Sequence, residues 1–324
     1  MPKIKLTTYD YDPLIKERFS EYTPNQSKRW RDFEFFLNEK MDSCDYWVVF
    51  DYLPQKDSTM CQNKNTIFIA GESSSIKRYN QKFLNQFAHV ITCQRRIKCP
   101  EVHYMAPGHS WFSKKSYDEL INNNKMIKNK LLSVVVSNKS GTPGHKKRLE
   151  FCLNLKKYFG DKIDIFGRGI NGFNDKWDVL APYKYSIAIE NSVEQDWMTE
   201  KIGDCFTSLT FPLYYGCPNI NDYYSPNSYE LIDIDDFEKS CKIIENIINS
   251  KKHYDQHLNS LIESKNRYMN EHCLIPLIAN FIKNNYKEIE GSTAKKITLM
   301  PEKNFESAVY KYSKRIINKI SRIF

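Results

Sequence analysis

Tyr183-Lys184-Tyr185-Ser186-Ile187-Ala188-Ile189-Glu190-Asn191-Ser192, followed by Met198-Thr199-Glu200-Lys201-Ile202 and Phe211-Pro212-Leu213-Tyr214-Tyr215-Gly216-Cys217-Pro218, is the most informative part of this chain. Tyr185–Ile189 is a short apolar run that fits a buried strand and delivers Glu190 and Asn191 to its carboxyl end. Met198–Phe206 then fits a helix beginning near Thr199, with Glu200 and Lys201 in its first turn. Phe211–Tyr215 returns as a second buried strand. Strand, helix and strand in this order predict a parallel sheet covered by helices.

The pattern extends in both directions. Leu131–Ser137, Ile163–Phe166 and Tyr229–Ile232 read as further strands. His145–Tyr158 reads as a helix with Leu149, Cys152, Leu153 and Leu155 inward, and Phe237–Ile248 and Ile262–Ile282 read as late helices. In the first half, Lys3–Thr7, Tyr46–Phe50, Thr66–Ala70 and His89–Thr92 read as strands. Arg29–Lys40 reads as a helix, and Ile76–Phe87 as another with Tyr79, Phe83 and Phe87 at helical spacing. The polar stretch Ser113–Lys130 interrupts the alternation and marks the expected domain junction. Two α/β units would bind ligands beyond the carboxyl ends of their strands.

The chain has 324 residues, with 41% hydrophobic and 14% aromatic content and only 11 Gly and 13 Pro. That composition excludes low-complexity disorder and suits two domains of about 150 residues. No apolar run approaches the ~20 residues of a membrane span. Met1–Lys5 leads into charged sequence without an apolar signal region, and the nine cysteines are an odd number. A reducing cytoplasmic location is therefore expected. The net charge is +9, and from Lys287 onward there are nine Lys/Arg against four Asp/Glu, a surplus of five in the tail. A nucleic-acid-binding face is not expected from charge gathered in this way.

Phe305–Phe324 reads as a basic amphipathic helix. Ile316, Ile317, Ile320 and Phe324 lie along one side, flanked by Lys311, Lys314, Arg315, Lys319 and Arg322. Such a helix lies on an anionic membrane surface or packs on its own protein or a partner. Peripheral attachment to the inner face of a membrane is one expectation.

Three features bear on chemistry. Gly167-Arg168-Gly169-Ile170-Asn171-Gly172 fits G-x-G-x-x-G, but no helical stripe follows, so a loop is expected and not a dinucleotide site. Asp235-Asp236 precedes the helical stripe of Phe237, Ile243 and Ile244, which favours helix capping over metal binding. Lys201 in a helical first turn is slightly unfavourable for the helix and asks for an anion nearby, while Glu200 suits a pair of sugar hydroxyls.

Ile189-Glu190-Asn191-Ser192, Thr199-Glu200-Lys201-Ile202 and Pro212–Pro218, taken together in order and spacing, resemble the donor-binding signature of the α1,3/4-fucosyltransferases of glycosyltransferase family 10. The strong match covers roughly Leu131–Phe237. The resemblance implies an α/β, GT-B-like chain with two Rossmann-type domains facing a central cleft, plus the basic C-terminal helix. Residues 1–126 would form the acceptor side, 127–286 the GDP-sugar-binding domain, and 287–324 the linker and tail. It also implies inverting, metal-independent transfer of fucose from GDP-fucose to an oligosaccharide acceptor, at O3 or O4 of N-acetylglucosamine in a Gal-GlcNAc unit. Another GDP-deoxysugar as donor, or a non-catalytic sugar-binding module, are the alternatives.

By the same resemblance, Glu72 in Phe68-Ile69-Ala70-Gly71-Glu72 is the expected general base. Arg148, following Val136-Ser137-Asn138, and Lys201 would bind the diphosphate. Asn191 and Glu200 would bind fucose or ribose hydroxyls beside Glu190, and Trp197 would contact the nucleotide. His109 is a second candidate for base or acceptor contact. Ile189 replaces a frequent Phe, and the loop Val193–Asp196 lacks a glycine often found there and carries two acids. Leu53–Lys64 and Ile97–Trp111 are the loops expected to read the acceptor.

Overall fold

The computed structural model describes residues 1–8, 18–139, 141–286 and 293–306. The strands in chain order are β1 (Lys3–Thr8), β2 (Arg29–Trp30), β3 (Phe33–Leu37), β4 (Tyr46–Phe50), β5 (Asp57–Cys61), β6 (Thr66–Ile69), β7 (His89–Thr92), β8 (Val102–Tyr104), β9 (Lys130–Val135), β10 (Ile163–Phe166), β11 (Tyr183–Ile189), β12 (Phe211–Tyr215), β13 (Glu230–Leu231) and β14 (Lys295–Leu299). The helices are α1 (Gln81–Leu84), α2 (Tyr117–Ile121), α3 (Pro143–Phe159), α4 (Glu200–Thr207), α5 (Phe237–Asn249), α6 (His253–Arg267) and α7 (Leu274–Asn285).

Two compact units form. The first contains Met1–Glu17, Asp32–Tyr104 and Glu288–Phe324; the second contains Arg18–Arg31 and Met105–Lys287. The units divide after Tyr104, whereas the sequence reading divides the chain at residue 126. The polar stretch Ser113–Lys130 lies inside the second unit. It holds α2, whose Ser116 and Glu119 form a reciprocal capping box. Polarity there reflects a capped surface helix, not a linker.

In the first unit, β3, β1, β4, β6, β7 and β8 lie side by side in that order, each pair parallel. Buried on both faces, its central strands are continuous apolar runs: Trp47, Val48 and Val49, and Phe68 and Ile69, are fully buried. Tyr79, Phe83, Phe87 and Leu299 pack with Trp47, Val49, Phe68 and Val90 in one cluster. β14 pairs antiparallel with β5, from Lys295 opposite Cys61 to Leu299 opposite Asp57.

Two expected helices in this region differ. Arg29–Lys40 is not a helix: β2 and β3 occupy it, separated by Arg31 at φ 52. Phe33–Leu37 is dominated by aromatics that suit a pleated surface, with Phe35 and Leu37 buried at a period of two. Ile76–Phe87 contains only α1, which is capped by Asn80, whose side chain accepts from Lys82 N at 2.9 Å. Upstream, Lys77 and Tyr79 are committed to Asp51.

In the second unit, five parallel strands run β10-β9-β11-β12-β13. β11 is central, with Tyr185 opposite Leu132 on one side and Phe211 on the other. On α3, Phe151, Cys152 and Leu155 are buried, but Leu153, expected inward, is 42% exposed. The buried face runs through Arg148 instead, a polar residue that an apolar pattern cannot register. Ile262–Ile282 is not one helix: α6 ends at Arg267 and α7 begins at Leu274 after extended Cys273. Pro276 lacks an N–H and fits the first turn of the new helix.

Among the described residues no helix is long and apolar enough to cross a membrane. The expected amphipathic helix Phe305–Phe324 lies, from residue 307 onward, outside the described residues.

Candidate functional site

The carboxyl end of β11 organises the site in the second unit. Glu190 follows the strand directly, donates its N–H to Tyr215 O at 2.8 Å and is 1% exposed. Its carboxylate accepts from Thr199 N at 2.8 Å, from Thr199 Oγ1 at 2.9 Å and from Lys201 Nζ at 3.0 Å. Lys201 also donates to Thr199 Oγ1 at 2.8 Å. Glu190 therefore holds the first turn of α4 and its lysine, with both oxygens engaged. Gly216 makes room for it, since a Cβ there would lie 2.6 Å from Glu190 Cγ.

Glu200 lies between two lysines, with Oε1 3.7 Å from both Lys176 Nζ and Lys201 Nζ. Burial pushes its carboxyl up, but Lys201 and Lys176 outweigh that and hold it well below the ordinary range. It stays ionised, a strong acceptor for hydroxyl groups. Lys176 also pairs with buried Asp204 at 2.5 Å. Burial disfavours the Lys176 charge, yet Asp204 and Glu200 raise its pKa. Burial raises the Asp204 carboxyl in turn, against the pull of Lys176.

The second part of the site is the start of α3. Thr142 caps the helix, accepting from His145 N at 3.2 Å. The next residue but one, Gly144, lies so close to β11's end that a Cβ there would sit 2.3 Å from Asn191 O. His145 Nε2 is 3.4 Å from Asn191 Nδ2. Burial lowers the His145 pKa first, and Arg148, Lys139 and Lys201 each lower it further. Three cations thus act on one imidazole beside a helix N-terminus, an arrangement suited to a phosphate group.

Arg148 is 7% exposed, and its buried Nε has no hydrogen-bond partner among the described residues; it has no ion pair among them either. Asn191 Oδ1 and Trp197 Nε1 are likewise buried without a partner among them. Unpaired buried polar atoms are costly, and a ligand is one way to satisfy them. Trp197 is 1% exposed and stands edge-on to His109, with centroids 5.8 Å apart, so it is a wall here and not an open stacking platform.

Six of the seven expected site residues thus fall in the second unit, around the carboxyl end of β11 and the starts of α3 and α4. Glu72 belongs to the first unit, just after β6. Its N–H donates to Tyr79 Oη at 3.1 Å, and its carbonyl accepts from Gln94 Nε2 at 2.8 Å. Tyr79 in turn donates to Asp51. In the same unit a cavity of about 560 Å³ opens at the carboxyl ends of β1 and β3, lined among others by Thr8, Asn38, Glu39, Gln55 and Lys56. It takes in part of the loop Leu53–Lys64.

The other sequence features are loops and caps. Gly167–Gly172 closes on itself through Gly167 N to Asn171 O at 2.7 Å and opens no helix. Asp236 caps α5, accepting from Lys239 N at 3.1 Å. In place of a glycine, the Val193–Asp196 loop sets Asp196 at φ 61, its carboxylate accepting from Tyr223 Oη and Asn219 Nδ2.

Residues 125–280, within the second unit, match the sequence model of glycosyltransferase family 10 (fucosyltransferase) C-term. The Helicobacter pylori alpha-(1,3)-fucosyltransferase FucT is 30% identical over 99 residues, 30% of this chain and 20% of that protein. The Drosophila melanogaster alpha-(1,3)-fucosyltransferase B is 23% identical over 218 residues, 61% of this chain and 48% of that protein. The chain thus spans at most about half the length of these relatives. An alpha1,3-fucosyltransferase crystallised with GDP superposes with a TM-score of 0.51 at 19% identity, over 83% of this chain and 91% of that one. That likeness establishes a shared fold of the glycosyltransferase GT-B type.

Proposed function

We propose that the protein is a glycosyltransferase that moves fucose from GDP-fucose to a hydroxyl of an oligosaccharide acceptor, with inversion and without a metal ion. The acceptor position proposed is O3 or O4 of N-acetylglucosamine in a Gal-GlcNAc unit. The observation that carries the reading is Arg148, a buried guanidinium without a counter-ion among the described residues, placed one turn into α3 beside His145. A nucleoside diphosphate supplies the missing negative charge.

In this mechanism the acceptor hydroxyl attacks the anomeric carbon while the bond from that carbon to the β-phosphate oxygen breaks. Glu72 takes the hydroxyl proton, the role assigned to it by family resemblance. The electron pair leaves with GDP, where Arg148 forks onto phosphate oxygens and Lys201 acts as a point charge. Glu200, held ionised, accepts from sugar or ribose hydroxyls with Asn191. We further propose that the basic tail attaches the enzyme peripherally to an anionic membrane surface.

The test is GDP release from GDP-fucose in excess EDTA with an N-acetyllactosamine acceptor, scored by product linkage. Acceptor-dependent release supports the reading. Donor binding with no transfer to any of a broad acceptor panel would leave only a sugar-binding module, and absolute dependence on added metal would remove the proposed charge compensation.

A further inference from the structure

His89, Glu101 and His103 meet on one face of the first unit's sheet, where β8 stands beside β7. Val90 pairs with Val102 and Ile91 with His103, and Val90 N donates to Glu101 O at 2.9 Å. Residues two apart along a strand share a face, so Glu101 and His103 project together, and the register sets His89 opposite Glu101. His89 Nδ1 lies 3.1 Å from His103 Nε2. One ligand atom from each of the three residues lies within 4.8 Å of the other two.

We propose that His89, Glu101 and His103 bind one late first-row divalent cation, zinc in particular, with water completing the coordination, and that this ion ties β8 to β7. Two imidazole nitrogens and a carboxylate oxygen are a donor set for zinc, not for magnesium or calcium. At zinc–nitrogen distances of 2.0–2.1 Å, nitrogens 3.1 Å apart subtend about 100° at the metal, close to tetrahedral. His89 also hydrogen-bonds the Lys64 main chain. A second hydrogen bond of this kind is what orients a ligating histidine.

The site opens β7 at His89, the end opposite Thr92 and the nearby Gln94 that holds Glu72. Its role is therefore structural, independent of the proposed sugar transfer. Adding zinc chloride to the tag-free full chain, followed by calorimetry and thermal melting, tests it. One zinc per chain is expected, with binding weakened at least ~10-fold in His89→Gln and in His103→Gln, unaffected by excess magnesium and retained in Cys99→Ser. Zinc should raise the melting temperature of the wild type and not of the histidine variants. Glu101→Gln, at an exposed position, keeps the test open should a histidine variant fold poorly, and it too should weaken binding. No stoichiometric zinc, or wild-type affinity in all three variants, would show only a histidine–histidine hydrogen bond and overturn the proposal. Because binding is read without turnover, this result stands apart from the fate of the transferase reading.

Discussion

Lys201 Nζ lies 3.0 Å from Oε2 of Glu190, a carboxylate that is 1% exposed. The cation assigned to the diphosphate is thus fixed in advance by a buried anion, which also receives the N–H and hydroxyl of Thr199. Glu190 is a positioning residue, set back from the hydroxyl-binding place that its neighbours Asn191 and Glu200 suit.

Glu190→Gln should keep the acceptor for Thr199 N–H but lose the charge that orients Lys201. Donor affinity is expected to fall about 10-fold, worth about 1.4 kcal/mol, with little change in fold. Glu190→Ala should also lower stability in urea by about 1–2 kcal/mol, because it leaves a half-buried lysine and a helix N–H without their buried acceptor.

Arg148→Ala should reduce kcat/KM for GDP-fucose by about 100-fold or more, the scale of removing one preorganised donor from a developing charge. Arg148→Lys should recover only part, since an ammonium cannot make the forked contact. Steady-state kinetics with unchanged circular dichroism decide it; recovery to wild-type rates by lysine would contradict forked binding.

Gly144→Ala places a methyl 2.3 Å from Asn191 O and must push the start of α3 off the end of β11. A loss of about 1–3 kcal/mol is expected, as for other over-packed sites, with a parallel loss of GDP affinity. Gly141→Ala, where a Cβ meets nothing within 4 Å, is the matched control and should bind GDP normally.

His145 gives the donor site a pH dependence. Burial and then Arg148, Lys139 and Lys201 hold its pKa below the ordinary 6.5. A bound diphosphate raises it, so the complex carries more protons than the free protein between the two values. GDP-fucose affinity should therefore rise as pH falls from about 8 toward about 6. His145→Gln should flatten this slope in calorimetry across the range, whereas an equal slope in both proteins would place the proton elsewhere.

Much of this was legible because buried parallel strands announce themselves. Tyr46–Phe50 and Phe211–Tyr215 are apolar runs, and Ile163–Phe166 is apolar around Asp164, each with the bounds observed. Arg29–Lys40 misled because charged residues around Phe33–Leu37 mimic an amphipathic helix, while the aromatic alternation is the stronger signal. Glu200 and Lys201 were visible as charged residues in the first turn of a helix. Lys176 and His145 were not: one lies in a polar loop and the other in a helical first turn, and only the tertiary fold brings them to Glu200 and Asn191. The close approach at Gly144 also leaves no local trace, since a glycine near a helix start is ordinary.

The central claim is that side-chain cations of the second unit hold the diphosphate. The affinity of GDP relative to guanosine, measured by calorimetry in excess EDTA for the wild type and Arg148→Ala, tests it most directly. The account predicts a strong preference for GDP in the wild type that shrinks at least ~10-fold in the variant, about 1.4 kcal/mol, while guanosine binding holds. An undiminished preference for GDP in Arg148→Ala, or none in the wild type until metal is added, would contradict it.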